Sequence, residues 1–165
     1  MNLTGTSHVY GNDIDTDRII AGKYTKTLNM QYLADHVFED LDPDFRTKLT
    51  KGDILVAGTN FGCGSSREQA PLALKQVGVS VVIARSFARI FYRNAINIGL
   101  PIIEIKDHTI NDKDKLDVNL STGEVKNVTK SLTYQGSEMP SVMIDIINDG
   151  GLVAYLKKRG TYQLS

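Results

Sequence analysis

Residues 59–71 (TNFGCGSSREQAP) combine side chains that could bind and deprotonate a small anion. Two glycines flank Cys63, so the backbone there can turn tightly and approach a ligand closely. Arg67 can bind a carboxylate through two parallel hydrogen bonds, and Ser65 or Ser66 can bond to or deprotonate the group beside it. This combination indicates a site for a negatively charged, oxygenated ligand.

The same residues also fit an ordinary helix start. Ser65 and Glu68, three residues apart, match a capping box, whose side chains bond to backbone amides at a helix N-terminus. That helix would place Pro71 in its second turn, where the ring clashes and an amide donor is missing. We therefore predict that Pro71 is the first helical residue and that 62–69 is an anion-binding loop at the positive end of the helix dipole. Alone, the loop is a weak signal, and it lacks the Walker lysine and the dinucleotide-binding glycine spacing.

Two other groups of charged residues have ordinary structural explanations. Asp13, Asp15 and Asp17 alternate, and a polar turn explains them as well as a functional role does. A calcium loop is excluded because the downstream glycine and glutamate that it requires are missing. Three arginines recur every four residues: Arg85, Arg89 and Arg93. We favour a solvated helix face over a ligand role for these arginines.

The segments around these motifs alternate between strand and helix. Three short apolar runs are typical of buried parallel strands: 53–58, 79–84 and 101–105. Helices are predicted between them over 71–77 and 86–98, ended by Gly78 and by Gly99 with Pro101. This order predicts a parallel sheet with right-handed crossovers, and therefore an α/β fold.

The remaining segments add smaller elements to this core. Residues 30–50 predict one or two short helices broken by Pro43, and 115–135 show a hairpin pattern with its turn at Ser-Thr-Gly. The end of the chain predicts two short helices around Gly150 and Gly151. We found no repeat or linker, so residues 1–165 are predicted to form a single domain.

Composition excludes several classes of function. Basic and acidic residues both number 19, so charge gives no argument for a nucleic acid or a membrane surface as the main partner. There is no run of transmembrane length and no signal peptide, and Cys63 is the only cysteine, so we expect a cytoplasmic protein without an intrachain disulfide. One cysteine cannot supply the ligands of an iron–sulfur cluster or a structural zinc, and we assign no metal site to this chain. Three scattered histidines have no metal or triad spacing: His8, His36 and His108.

Taken together, three motifs resemble one family. They are DTDRII, NFGCGSSRE and SFARIFYRNAINIGLP, in this order and spacing. They resemble the small subunits of 3-isopropylmalate dehydratase and of homoaconitase in the aconitase superfamily, and the resemblance covers most of the chain, from about Tyr10 to Tyr155. It implies a swivelling β/β/α domain of aconitase type, with a parallel strand-helix core and an added hairpin. It also implies a separate large subunit that carries a [4Fe–4S] cluster, in a heterodimer or heterotetramer.

The resemblance further implies a reaction and residue roles. Such hydro-lyases move a hydroxyl between adjacent carbons of a malate skeleton by dehydration and rehydration, with the cluster's labile iron acting as a Lewis acid. By resemblance, Ser65 is the alkoxide base that removes a proton next to a carboxylate, and Ser66 helps to hold Ser65 or the substrate. Arg67 clamps a substrate carboxylate, and Asp17 orients polar groups from across the subunit interface.

The chain departs from the family pattern at positions that bear on the substrate. Gln69 replaces the usual histidine, and Thr25 stands where leucine is frequent. In the family, the loop after the aspartate motif lies near the variable group of the substrate. Lys26 in that loop is either a substrate contact or a solvated residue, and we favour the solvated residue. We expect isomerisation of 2-isopropylmalate and 3-isopropylmalate in leucine biosynthesis, with homoaconitate or a dimethylmalate as the alternative substrate.

Two other classes of function remain as alternatives. A stand-alone small-molecule binding module is consistent with a chain that lacks the metal. RNA binding, as in some animal aconitases, is the weaker alternative because the charge is balanced and no aromatic-basic RNA motif is present.

Overall fold

The computed structural model describes residues 1–27 and 29–160. Its strands are β1 (Asn2–Val9), β2 (Ile54–Ala57), β3 (Val81–Ala84), β4 (Ile102–Glu104), β5 (Lys115–Asn119), β6 (Glu124–Asn127) and β7 (Leu132–Gln135). Its α-helices are α1 (Thr16–Ile19), α2 (Met30–His36), α3 (Phe45–Lys48), α4 (Gln69–Val77), α5 (Arg89–Ile98), α6 (Ser141–Asn148) and α7 (Leu152–Arg159). A single 3₁₀ turn, Gly22–Tyr24, follows α1 in this part of the chain.

The described strands form one sheet in the order β4-β3-β2-β1-β5-β6-β7. Pairing is parallel from β1 through β2 and β3 to β4, and antiparallel from β1 through β5 and β6 to β7. The strand β1 serves both halves because its end, Ser7 to Val9, pairs with β2, and its start, Asn2 to Thr6, pairs with β5. The predicted parallel core and added hairpin are therefore confirmed, and β7 extends the hairpin to three strands.

Both faces of the central strands are buried. Leu55 and Val82 pack with the helices on one face, and Ile54 and Val81 pack with β5 and β6 on the other. The core between the central strands and β5 and β6 is closed because the sheet curls until the chain after β7 reaches β4. There the Ser137 amide donates to the Glu104 carbonyl at 2.9 Å. Burial on two faces explains why the central strands are continuous apolar runs, whereas β5 and β6 alternate.

The helix ends follow the sequence signals, with two differences. Gly78 and Gly99 both end their helices in the left-handed conformation, as predicted. However, α4 begins at Gln69, so the prediction that Pro71 is the first helical residue is wrong. Pro71 is the third, where a helix has no intrahelical acceptor for the amide and the missing donor costs no bond. The helix predicted over 86–98 also begins later, at Arg89, and Ile90 in its first turn is 48% exposed.

The topology brings three loops to one edge of the sheet. The parallel strands β1, β2 and β3 run in the same direction, so the segments that follow Val9, Ala57 and Ala84 leave from the same edge. These segments contain residues 13–20, the aspartate motif, and residues 60–68, the glycine-serine motif. They also contain the start of residues 85–101, the arginine motif. None of the described helices is long and apolar enough to cross a membrane.

Candidate active site

Backbone hydrogen bonds join the three loops beyond the ends of their strands. The Gly62 amide donates to the Ile14 carbonyl at 2.8 Å, and the Thr16 amide donates to the Cys63 carbonyl at 2.9 Å. On the other side, the Phe61 amide donates to the Ser86 carbonyl at 3.0 Å. The parallel pairing of the sheet thus continues into the loops and fixes the glycine-serine segment between the other two.

Gly62 and Gly64 give this segment its shape. Both have positive φ, of 83° and 93°, which other residues adopt only with strain. A Cβ on Gly62 would lie 2.2 Å from Cγ of the buried Phe91, so the backbone contacts α5 with no space for a side chain. Gly64 is exposed, and its conformation leads the chain away from the core to Ser65.

The two serines are exposed on the surface and make no side-chain hydrogen bond within the described residues. The N-cap residue of α4 is Glu68, and no side chain caps this helix. The capping-box interpretation of Ser65 is therefore wrong, because the helix begins too late for Ser65 to reach its first amides. The Ser65 carbonyl instead accepts a bond from the Arg67 amide at 2.9 Å.

Arg67 lies against the loop that carries the aspartate motif. Its guanidinium forms an ion pair with Asp17 and approaches the Ile20 carbonyl at 3.5 Å. Gly22 allows this approach, because a Cβ there would lie 3.1 Å from Nη2 of Arg67. The side chain of Asp17 is 63% exposed and that of Arg67 is 25% exposed. The structure therefore brings two of the predicted site residues into direct contact.

Each aspartate of the alternating motif has a different environment. Asp15 is the N-cap of α1 and accepts a bond from the Arg18 amide at 2.8 Å, as a polar turn predicts. Asp13 adopts a φ of 54° and accepts a bond from the Asn60 side chain at 3.2 Å. Only Asp17 reaches Arg67. The alternation in the sequence therefore combines two structural residues with one candidate site residue.

Lys26 is exposed and lies on the loop that follows the aspartate motif, beyond the 3₁₀ turn. Thr25 fixes this turn, because its hydroxyl donates to the Gly22 carbonyl at 2.8 Å. The side chain of Gln69 donates to the Thr25 carbonyl at 3.3 Å, a contact that sequence reasoning missed. Lys26 borders a cleft of about 280 Å³, which is lined, among the described residues, by Lys23, Tyr24, Lys26, Thr27, Asn29 and Tyr32.

The residues of this chain do not fit an iron–sulfur cluster. Burial raises the pKa of the Cys63 thiol, and the nearby Asp15 and Asp13 raise it further, so Cys63 is not a ready thiolate ligand. In the part of the chain that the structure describes, no group of three His, Cys, Asp or Glu side chains is arranged to hold a metal ion.

The histidines have separate structural roles. His8 Nε2 bonds to Asp53 at 2.8 Å, which links β1 to the turn before β2. His36 stacks on the ring of Tyr24, with 3.9 Å between centroids. Burial, with a smaller effect of Arg85, lowers the pKa of His108 to about 4.

The arginine motif divides between structure and surface. Arg85 donates to the carbonyls of Lys106 and His108 at 2.6 and 2.8 Å, so it is a structural residue rather than part of a solvated helix face. Arg89 and Arg93 are exposed and have no ion pair or hydrogen bond within the described residues, as the solvated-face interpretation predicts.

These features define an α/β domain with a candidate serine-arginine site at the carboxyl edge of parallel strands. The family described as Aconitase C-terminal domain matches residues 13–108. Over 99% of this chain and 100% of the relative, the chain is 52% identical to the 3-isopropylmalate dehydratase small subunit 2 of Archaeoglobus fulgidus. It is 53% identical to the isopropylmalate/citramalate isomerase small subunit of Methanocaldococcus jannaschii, over 95% of both chains.

A solved structure agrees with these matches. The crystal structure of 3-isopropylmalate dehydratase from Methanocaldococcus jannaschii has a TM-score of 0.91 with 46% identity, over 97% of this chain and 96% of that one. The chain therefore belongs to the aconitase C-terminal domain family, among the small subunits of 3-isopropylmalate dehydratases. The predicted family and the swivelling-domain fold are confirmed.

A substitution at Gly62 tests how closely the site loop depends on α5. Gly62→Ala should destabilise the chain by about 2–4 kcal/mol, because it combines a positive φ with a clash against Phe91. The measurement is urea unfolding followed by circular dichroism. Gly11→Ala is the control, since a Cβ there meets nothing within 4 Å. Equal stability of the two variants would contradict the packing described for Gly62.

Proposed function

We propose that this chain is the small subunit of a hydro-lyase that interconverts 2-isopropylmalate and 3-isopropylmalate by dehydration and rehydration in leucine biosynthesis. The main support is the group of Ser65, Ser66, Arg67 and Asp17 at one edge of the sheet. Relatives about half identical over nearly the whole chain carry names of this activity. A stand-alone binding module and an RNA-binding role have no comparable support.

In this proposal Ser65 is the base. Its side chain is exposed and unbonded within the described residues, so Oγ is free to approach a carbon next to a substrate carboxylate and take its proton. A serine hydroxyl accepts a proton only after it has ionised, and ionisation requires nearby positive charge. Arg67, two residues further along the chain, is the proposed source of that charge.

Arg67 and Ser66 are the proposed carboxylate ligands. A guanidinium has five donors, and the contacts of Arg67 to Asp17 and to the Ile20 carbonyl leave others for a substrate. Asp17 orients the guanidinium from within the same chain, so its role does not require contact across a subunit interface. Ser66 is exposed beside Ser65 and can hold the substrate or the base.

A large subunit would complete the site. The candidate residues lie on an open surface, whereas a base of this kind needs a site from which water is excluded. The sequence has one cysteine and the described residues contain no metal-ligating group, so we place the cluster of the proposed enzyme in the large subunit. The proposed assembly is a heterodimer or heterotetramer, without nucleic acid or membrane partners, in the cytoplasm.

The choice of substrate depends on the loop that contains Lys26. An isopropyl group is bound best by apolar surface, whereas the cleft beside Lys26 contains two lysines, Lys23 and Lys26. These cations favour, as the second candidate, a malate with an additional carboxylate, such as homoaconitate. We retain 3-isopropylmalate because relatives with high identity carry that name, and a dimethylmalate is the remaining alternative.

Reconstitution tests the proposed assembly. The purified chain should be colourless and inactive, because one cysteine cannot bind a cluster. Hydro-lyase activity should appear when an iron–sulfur large subunit from the same organism is added. The assay follows absorbance of the unsaturated intermediate with a panel of alkyl- and carboxyalkyl-malates. Turnover by the small subunit alone would contradict the proposal.

Ser65→Ala tests the base. In the reconstituted enzyme, kcat should fall about 10²–10⁴-fold, the usual effect of removing a positioned acid–base group. Thermal stability should be unchanged, because the Ser65 side chain makes no bond within the described residues. Ser121→Ala, at an exposed serine in the β5–β6 turn, is the control. Near-normal turnover of Ser65→Ala, with or without a change in stability, would exclude Ser65 as the base.

Lys26→Ala tests the substrate. If 3-isopropylmalate is the substrate and Lys26 is solvated, kcat/KM for it should change less than about threefold, in keeping with the small effects of exposed charges. Lys115→Ala, at an exposed lysine of β5, is the control. A selective loss of activity on a carboxyalkyl malate, in an enzyme that prefers that substrate, would show that Lys26 reads a second carboxylate.

A further inference from the structure

Two nearby side chains contact the loop that carries Lys26. One lies at the end of the glycine-serine motif and the other at the start of α4. Arg67 approaches the Ile20 carbonyl and lies against Gly22, at the start of that loop. Gln69 donates to the Thr25 carbonyl, at its far end. The loop is thus anchored at both ends to one short stretch of the chain.

The contact of Gln69 is local and specific. Gln69 is the first residue of α4 and is partly buried, so the amide of its side chain leaves a rigid helix in a defined direction. Its acceptor is the carbonyl of the peptide that joins Thr25 to Lys26. Thr25 is itself fixed to Gly22 through its hydroxyl. A shift of the Thr25 carbonyl therefore moves the backbone of Lys26 directly.

We infer that Gln69 is a positioning residue. Its hydrogen bond holds the loop of residues 20–27, like a latch, to the start of α4 and so sets where Lys26 lies relative to Ser65. This inference rests on the proposed function, in which the loop that carries Lys26 lies beside the variable group of the substrate. Gln69 acts through Thr25 and does not touch the substrate. Its loss should alter the discrimination between malates that differ in their variable group.

The expected effect follows from the value of one neutral hydrogen bond. Such a bond shifts a closed–open equilibrium by about 2- to 10-fold. The exposed Lys26 and Lys23 report that equilibrium in the free chain, because trypsin cleaves after lysine only when the loop leaves its folded position. Cleavage is measured without the large subunit and without activity, so it is independent of the proposed function.

The experiment compares Gln69→Met with Gln135→Met. Methionine removes the amide at similar length and is a good helix former, so α4 should remain intact. Gln135 is the matched control because its side chain also donates to a backbone carbonyl, that of Thr122, at 2.6 Å in a distant turn. Circular dichroism verifies folding, and Gln69→Glu, which suits the amino end of a helix, is the second variant.

We expect about 2- to 10-fold faster tryptic cleavage after Lys23 or Lys26 in both Gln69 variants and wild-type rates in Gln135→Met. In the reconstituted enzyme, Gln69→Met should change the ratio of kcat/KM values for 3-isopropylmalate and a carboxyalkyl malate at least threefold, through KM. Unchanged cleavage would overturn the latch, and faster cleavage with an unchanged ratio would overturn its role in substrate choice. If the wild-type complex is inactive on every malate, the proposed function fails, and cleavage alone decides whether the latch exists.

Discussion

Parallel pairing of β1, β2 and β3 determines where every candidate site residue lies. The three strands end at the same edge, and their pairing continues into the loops as the bonds of Gly62 to Ile14 and of Phe61 to Ser86. The glycine-serine segment lies in the middle of this arrangement and rests on α5 through Gly62. Its backbone is therefore fixed on both sides before any side chain contributes, which is how a rigid scaffold supports a reactive loop.

Arg67 then organises the surface of the site. Its guanidinium joins residues that are distant in sequence, Asp17 and the Ile20 carbonyl, and it lies against Gly22. The pair with Asp17 is largely exposed on the aspartate side, so its contribution to stability is small and its value lies in orientation. A substrate carboxylate would meet a guanidinium whose direction is already set, which lowers the entropy cost of binding.

The open position of Ser65 and Ser66 is consistent with the proposal that this domain supplies half of an active site. The side chains with the proposed chemistry lie outside the two hydrophobic cores. One core lies between the helices and one face of the sheet, and the other lies between the curled strands on the opposite face. The hydrophobic cores are buried within this chain without the serine side chains, whereas the exclusion of water from the serines would depend on a partner. This separation suits a subunit whose reactive side chains would be enclosed only in a complex.

The sequence by itself determined the strand-helix order, the left-handed ends at Gly78 and Gly99 and the motifs that identify the family, because these depend on local periodicity and backbone freedom. It misplaced the start of α4 and admitted a capping role for Ser65, since local patterns do not fix a helix boundary to the residue. Only the tertiary structure decided that Asp17 pairs with Arg67, that Arg85 binds carbonyls and that Gln69 reaches Thr25. Those contacts join residues 21 to 50 positions apart, and their distances depend on how the strands align in the sheet, which no local pattern encodes.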